Sequence, residues 1–199
     1  MEVFNSLIDN YQVFISENSW LAIFAAFLLP FIEAIIPTLP LGAIVGINLG
    51  VMSQTFGPTA GIVFTIILSV VGSFSGMFMI FLIIRKTLAD NFSAKVEKNE
   101  MGKKFLDIAQ GKNVGLMLVF LANPFMPSSI FNYALSFTKI KTRTYIWMNF
   151  LSRFVIMVFF VFLGSLFDIQ NHPINVIWLS IAYAAVFALI FFLKRKGKK

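Results

Sequence analysis

Two ionisable side chains stand well inside apolar stretches of the sequence, Glu33 and Arg153. If those stretches lie in a membrane, each charge costs about 2.5 to 3.5 kcal/mol at a helix centre and faces the interior of a bundle. A guanidinium binds phosphate well, and a carboxylate at that depth is able to titrate or to accept a polar contact. The two residues indicate either a structural ion pair or a polar site that attracts an anionic group.

Two proline pairs with the same spacing interrupt apolar stretches, Pro37-Thr-Leu-Pro40 and Pro124-Phe-Met-Pro127. Proline has no backbone N–H and ends a helix. Irregular backbone at membrane depth persists only where protein buries it or where it lines a watery cavity. We therefore predict a cavity at the two pairs, with tight turns in a bundle as the alternative.

Four polar residues lie around the second proline pair: Asn123, Ser128, Asn132 and Tyr133. As residues lining a cavity they are suited to bind a polar headgroup. The alternative is that they satisfy backbone groups that the prolines leave without partners. The sequence does not decide between these two roles.

The composition indicates an integral membrane protein. Of the 199 residues, 58% are hydrophobic and 13% are charged, whereas about a quarter are charged in a typical soluble domain. Residues 34–84 include no Asp, Glu, Lys or Arg. No long polar stretch is available for a second domain, so we expect a single all-α membrane domain over residues 20–193.

Five apolar stretches define the expected elements of this domain. A hydrocarbon core of about 30 Å requires roughly 20 helical residues to cross it. Residues 60–84, 144–167 and 174–193 fit plain spanning helices. The stretches 20–52 and 114–137 contain the proline pairs, and we predict that each forms a re-entrant hairpin.

Lys and Arg residues decide the predicted topology. Outside the apolar stretches they occur only in residues 85–113, 139–143 and 194–199. All of them share one face only if residues 114–137 enter the membrane and return to the same side. The positive-inside rule then places the connector 85–113 and the basic tail 194–199 in the cytoplasm.

The N-terminal residues 1–19 contain no Lys or Arg and have helically spaced apolar residues, which predicts an amphipathic helix on the outer surface. The two hairpins then enter from opposite faces of the membrane. Opposed hairpins followed by spanning helices are typical of an inverted repeat, which places the working site near the midplane.

Glycines recur four residues apart at Gly42, Gly46 and Gly50, and again at Gly72 and Gly76. Small residues at this spacing allow membrane helices to approach closely. We predict that these glycines pack helices together, with a substrate-facing groove as the alternative.

The patterns expected of an enzyme or a metal protein are missing. The sequence has no Cys, and its one histidine, His172, excludes a paired-histidine metal or phosphatase site. We expect no enzymatic activity, metal or cofactor. The basic residues adjoin apolar runs, which fits membrane orientation and not nucleic-acid binding. The tail 194–199 is expected to attract anionic lipid headgroups.

The sequence resembles the DedA family of bacterial membrane proteins, also described as VTT-domain proteins. The resemblance covers about residues 20–167 and rests on three segments: Phe31-Ile-Glu33-Ala-Ile-Ile-Pro37-Thr-Leu-Pro40, the glycine-rich arm to Gly50, and Pro124-Phe-Met-Pro127-Ser-Ser-Ile-Phe-Asn132-Tyr133. It implies site positions at Glu33, Pro37, Pro40, Pro124, Pro127 and Asn132.

Three features of the sequence depart from the family pattern. Leu121 stands where the family commonly has an Arg, three residues before the second proline pair. Residues 41–43 lack the acid that often follows the first pair, and Ser136 stands near the place of a usual Gly. Phosphate recognition therefore requires that Arg153 replace the missing Arg in space.

The resemblance implies movement of a lipid between leaflets, by a flippase or scramblase that acts on a phospholipid or on undecaprenyl phosphate. The expected location is the bacterial cytoplasmic membrane, with several spans and membrane lipids as partners. Because acids are missing, we favour passive scrambling over tight coupling. An ion- or proton-coupled transporter of a small solute and a non-transporting scaffold are the alternatives. The sequence leaves open whether the chain forms a homo-oligomer.

Overall fold

The computed structural model describes residues 18–36, 40–87, 114–124, 128–138 and 140–169, and five single residues between 172 and 181. This part of the chain is helical and has no strand, which confirms the all-α prediction for it. The helices are α1 (Ser19–Ile35), α2 (Leu41–Phe56), α3 (Pro58–Thr87), α4 (Val114–Leu121), α5 (Ser128–Ser136) and α6 (Thr142–Leu166).

Two of these helices are long and apolar enough to cross a membrane. The 30-residue α3 includes the predicted span 60–84, and the 25-residue α6 covers nearly all of 144–167. With a rise of about 1.5 Å per residue, each exceeds the roughly 30 Å of a hydrocarbon core. The predicted amphipathic helix, connector, third span and basic tail lie wholly or mostly outside the described residues.

Helices end on both sides of each proline pair. α1 ends at Ile35, and α2 begins directly after Pro40, whose backbone is extended. α4 ends at Leu121, three residues before Pro124, and α5 follows the second pair. Pro37 and Pro127 themselves lie outside the described residues. The hairpin and inverted-repeat arrangements stay predictions.

The fold divides into two compact units, which are described separately. The first unit consists of Met1–Leu29, Leu39–Ser69 and Val158–Lys199. Ala22 and Ala26 of α1 pack there against Met52 of α2, and larger apolar side chains surround them. The small alanines allow the two helices to lie close together.

Asn48 supplies a hydrogen bond that α1 lacks because of Pro30. Pro30 lies within this helix and has no N–H for the carbonyl of Ala26, four residues earlier. The buried Asn48 side chain donates from Nδ2 to that carbonyl at 3.1 Å and to Ser69 Oγ at 3.1 Å. A proline inside a membrane helix is tolerated where a neighbouring helix satisfies the freed group in this way.

Gly42 permits close packing within the first unit. A Cβ atom at Gly42 would lie 2.7 Å from Cε1 of Phe160, which is too short for a real contact. Gly46 and Gly50 are also buried on α2. At the end of α2, Gly57 adopts φ +87°, a conformation that other residues rarely adopt, before α3 begins.

The second unit consists of Pro30–Thr38 and Val70–Met157. Its core joins α3, α4, α5 and α6 through buried side chains that include Phe81, Met117, Leu135 and Tyr145. Ring contacts pair Phe74 with Phe150 and Phe81 with Tyr145, so α3 and α6 run antiparallel here. α4 and α5 contact each other within this unit.

Candidate functional site

Four polar side chains are buried together in the second unit, and we call them the polar cluster: Asn132, Tyr145, Asn149 and Arg153. None is more than 1% exposed. Three of them lie four residues apart on α6, and this spacing puts them on one face of the helix. Asn132 comes from α5, so the cluster joins two helices.

Tyr145 is the hydrogen-bonding centre of the polar cluster. Asn149 donates from Nδ2 to the Tyr145 hydroxyl oxygen at 2.6 Å. The hydroxyl has two acceptors in reach, Asn132 Oδ1 and the Met77 carbonyl at 3.0 Å, and its single proton serves one of them at a time. The Tyr145 ring stacks on Phe81, with ring centroids 3.7 Å apart, which fixes the hydroxyl in place.

Asn132 uses both ends of its amide within the protein. Its Nδ2 donates to the Met77 carbonyl at 3.1 Å, and its Oδ1 accepts from Tyr145. In this arrangement the side chain holds α5 against α3 and α6. Of the two roles considered from the sequence, these bonds favour a structural one.

Arg153 caps the broken end of α4. Its Nη2 donates to the carbonyl of Leu121 at 3.4 Å, and Leu121 is the last residue of that helix. Final-turn carbonyls lack helical donors, and a cation is favourable near them. The guanidinium therefore lies beside the position where the resemblance led us to expect an Arg.

Two guanidinium nitrogens of Arg153 are not used by this contact. Nε and Nη1 are buried and have no hydrogen-bond partner within the described part of the chain. A buried guanidinium requires acceptors, because desolvating its N–H groups without replacing them is costly. These two donors are the part of the site best suited to an anionic group.

Glu33 lies within electrostatic range of this guanidinium. It is 8% exposed in the last turn of α1 and interacts electrostatically with both Arg153 and Tyr133. The Tyr133 hydroxyl donates to the carbonyl of Ile35, the last residue of α1. The second unit thus brings together Glu33, Tyr133 and Arg153 from three different helices.

The other predicted site residues take different places. Ser128 is buried at the start of α5, and Asn123 and Pro124 are half-buried after α4. Pro40 is exposed and belongs to the first unit. Within the described residues, no three His, Asp or Glu side chains are placed to hold a metal ion.

Gly76 brings α3 against the end of α1. A Cβ atom there would lie 2.5 Å from the carbonyl oxygen of Phe31 and 3.0 Å from Cβ of Ala34. Any side chain would push the two helices apart at the turn that carries Glu33. Gly72 is also buried on α3.

The sequence analysis missed Tyr145, Asn149 and Asn48. Tyr145 and Asn149 precede Arg153 at steps of four residues, so a search for polar residues on the face of Arg153 finds both. Asn48 is detectable as the one amide within the apolar arm that follows the first proline pair.

The fold and site define an all-α membrane protein with a buried polar site. The family model for the VTT domain matches residues 47–166, more than half of the chain. The protein belongs to the VTT-domain (DedA) family, which confirms the resemblance. The match includes the second proline pair and the polar cluster but begins after Glu33 and the first pair.

One relative is similar over most of the chain. The uncharacterized membrane protein YhjE of Bacillus subtilis (strain 168) is 29% identical over 153 residues, which cover 76% of this chain and 70% of that protein. No solved structure matches the chain.

Proposed function

We propose that the protein moves a lipid between membrane leaflets and that Arg153 receives the phosphate of the headgroup. The observation that carries the proposal is the wholly buried guanidinium beside the end of α4, with two donors that no described residue accepts from. Phosphate is the common chemistry of a phospholipid and of undecaprenyl phosphate, and arginine is well suited to bind it.

The short arms of the second hairpin support entry from one side of the membrane. Eleven residues separate Lys112 from Pro124, and eleven separate Pro127 from Lys139. Each arm reaches only about 17 Å as a helix, roughly half of the hydrocarbon core. In the proposed topology, both lysines stay in the cytoplasm while the proline pair reaches the midplane.

The charges at the site favour passive movement. Glu33 and Arg153 offset each other, so the groove accepts a polar headgroup without a large net charge. A hydrated groove lowers the barrier to flipping while the acyl chains stay in lipid. In this proposal the protein is no enzyme and uses no metal or cofactor, and its basic tail contacts anionic lipid at the cytoplasmic face.

The test reconstitutes purified protein into liposomes with a headgroup-labelled lipid, a phospholipid in one set and a polyprenyl phosphate in the other. A membrane-impermeant quencher then measures how fast inner-leaflet label becomes accessible. We expect acceleration by the wild type and a large loss in Arg153→Gln and Glu33→Gln. Arg143→Gln, an exposed position on the same helix, is the matched control and should keep the wild-type rate.

No acceleration of either lipid by folded wild-type protein would contradict the proposal. The remaining candidate is then an ion- or proton-coupled transporter of a small solute, which the nearly buried Glu33 beside Arg153 would serve. A small-solute transporter should take up its solute after a pH jump, and Glu33→Gln should abolish this uptake. If the protein is a scaffold, the same variants should lower its free energy of unfolding and change no transport rate.

A further inference from the structure

Two neighbouring residues of α5 fasten this short helix to three other helices. Asn132 bonds to Met77 of α3 and to Tyr145 of α6, whereas Tyr133 bonds to Ile35 of α1. Successive helical residues point about 100° apart, which allows adjacent side chains to reach different partners. The Tyr133 bond connects residues 98 apart in the sequence.

The end of α1 needs such a partner. Pro37 has no N–H, so the carbonyl of Glu33 cannot receive the usual helical bond from it, and the helix ends at Ile35. The last carbonyls of a helix must be satisfied from elsewhere, especially where no water is available. The Tyr133 hydroxyl meets this need at Ile35, two residues after Glu33.

We propose that Tyr133 is a positioning residue that holds the end of α1, and with it Glu33, in place beside Arg153. Its hydroxyl bonds to the carbonyl of Ile35, two residues after Glu33 in the same helix turn. The tyrosine acts through Glu33 and does not itself bind the lipid. The effect on transport rests on the proposed function, whereas the effect on α1 does not.

The first test measures local motion at the end of α1. The chain has no cysteine, so Ile36→Cys, at an exposed position, carries a single spin label. In lipid nanodiscs, we expect Tyr133→Phe to increase the mobility of this label in the EPR spectrum. A label at Val71→Cys, exposed on α3, should not change.

Tyr145→Phe is the matched control, because it also removes one tyrosine hydroxyl that bonds to another helix, but Tyr145 bonds to α3 and α5 and not to α1. It should leave the label at residue 36 unchanged. Equal mobility of that label in the wild type and Tyr133→Phe would overturn the proposal. An equal increase in Tyr145→Phe would also overturn it, because general loosening would then be the cause.

The second test uses the transport assay in a double-mutant cycle. We expect Tyr133→Phe to slow lipid movement by about threefold to tenfold, the effect of losing one hydrogen bond. In the Glu33→Gln background, the same change should have almost no further effect. If the losses of transport rate in the two variants add in the double variant, Tyr133 does not act through Glu33. Absence of transport by the wild type would refute the proposed function, and the spin-label result would still decide whether Tyr133 holds α1.

Discussion

At the residue scale, the proposed function gives Arg153 two tasks. Its Nη2 caps α4 at Leu121, while Nε and Nη1 are left for another acceptor. A guanidinium presents five N–H donors in a fixed plane, whereas an ammonium is a compact point charge. We therefore expect lysine at this position to serve the helix end and a phosphate less well than arginine does.

Arg153→Lys tests this geometry because it keeps the charge. We expect lipid movement to fall about tenfold or more, close to the level of Arg153→Gln. The fluorescence quenching assay measures the rate, with Arg143→Lys as the exposed control on the same helix. A wild-type rate in Arg153→Lys would show that charge alone is sufficient.

Tyr145→Phe tests the polar cluster. Loss of the hydroxyl leaves Asn149 Nδ2 and Asn132 Oδ1 without the bonds seen here, in a site closed to solvent. An unsatisfied buried polar group costs about 1 to 3 kcal/mol, so the free energy of unfolding should fall by at least that amount. Unfolding in detergent, followed by circular dichroism, measures it, and an unchanged midpoint would contradict the hydrogen-bond assignment.

At the scale of elements, α1 depends on α2 because of Pro30. The Asn48 amide replaces the donor that Pro30 lacks at Ala26. This bond links Pro30 and Asn48, and it explains why a polar amide is buried in the apolar α2. Such interhelical bonds contribute on average about 0.6 kcal/mol in membrane proteins, with larger values in model peptides.

A double-mutant cycle tests this compensation. With Pro30 present, Asn48→Leu should destabilise the protein by about 1 to 2 kcal/mol, because the Ala26 carbonyl is then left without a hydrogen-bond donor. In a Pro30→Ala background, the restored N–H satisfies that carbonyl, so Asn48→Leu should cost less. Thermal unfolding of the four proteins gives the coupling energy. Equal costs in both backgrounds would exclude the proposed link.

The contact between α3 and α1 is tested at Gly76. Gly76→Ala places a Cβ atom against the Phe31 carbonyl, and backbone cannot move aside as a flexible side chain can. We expect a loss of about 1 to 3 kcal/mol in unfolding free energy. Gly115→Ala on α4 is the matched control, because a Cβ there meets nothing within 4 Å. Its stability should be unchanged or higher.

At the scale of the whole molecule, the proposed topology rests on charge and on hairpin length. If residues 114–137 are re-entrant, Lys112 and Lys139 face the same compartment despite the apolar stretch between them. If those residues cross the membrane, the two lysines face opposite compartments. The cysteine-free sequence makes this difference measurable with single introduced thiols.

Cysteines at Lys112, Lys139 and His172 provide the measurement. With a membrane-impermeant maleimide, we expect His172→Cys to react in intact cells. Lys112→Cys and Lys139→Cys should react only after the membrane is opened. Reaction of the two lysine positions from opposite sides of the membrane would rule out the hairpin. Reversed accessibility at all three positions would show that the protein has the opposite orientation in the membrane.

The sequence by itself determined the features that depend on local physics. Apolar composition specified a helical membrane protein, and the described helices end on both sides of the proline pairs because a missing N–H acts only on neighbouring residues. The family followed from the second proline pair and its Asn132-Tyr133, and the match to residues 47–166 confirmed it. Glu33 and Arg153 were recognisable because charge is costly in an apolar stretch.

Only the tertiary structure decided which groups meet. Arg153 reaches Leu121 across 32 residues, and Tyr133 reaches Ile35 across 98. These pairings depend on how α1, α3, α4, α5 and α6 pack, which the spacing of residues along one helix does not specify. The same packing gives Asn132 its interhelical bonds, because Met77 and Tyr145 lie at the two ends of its amide.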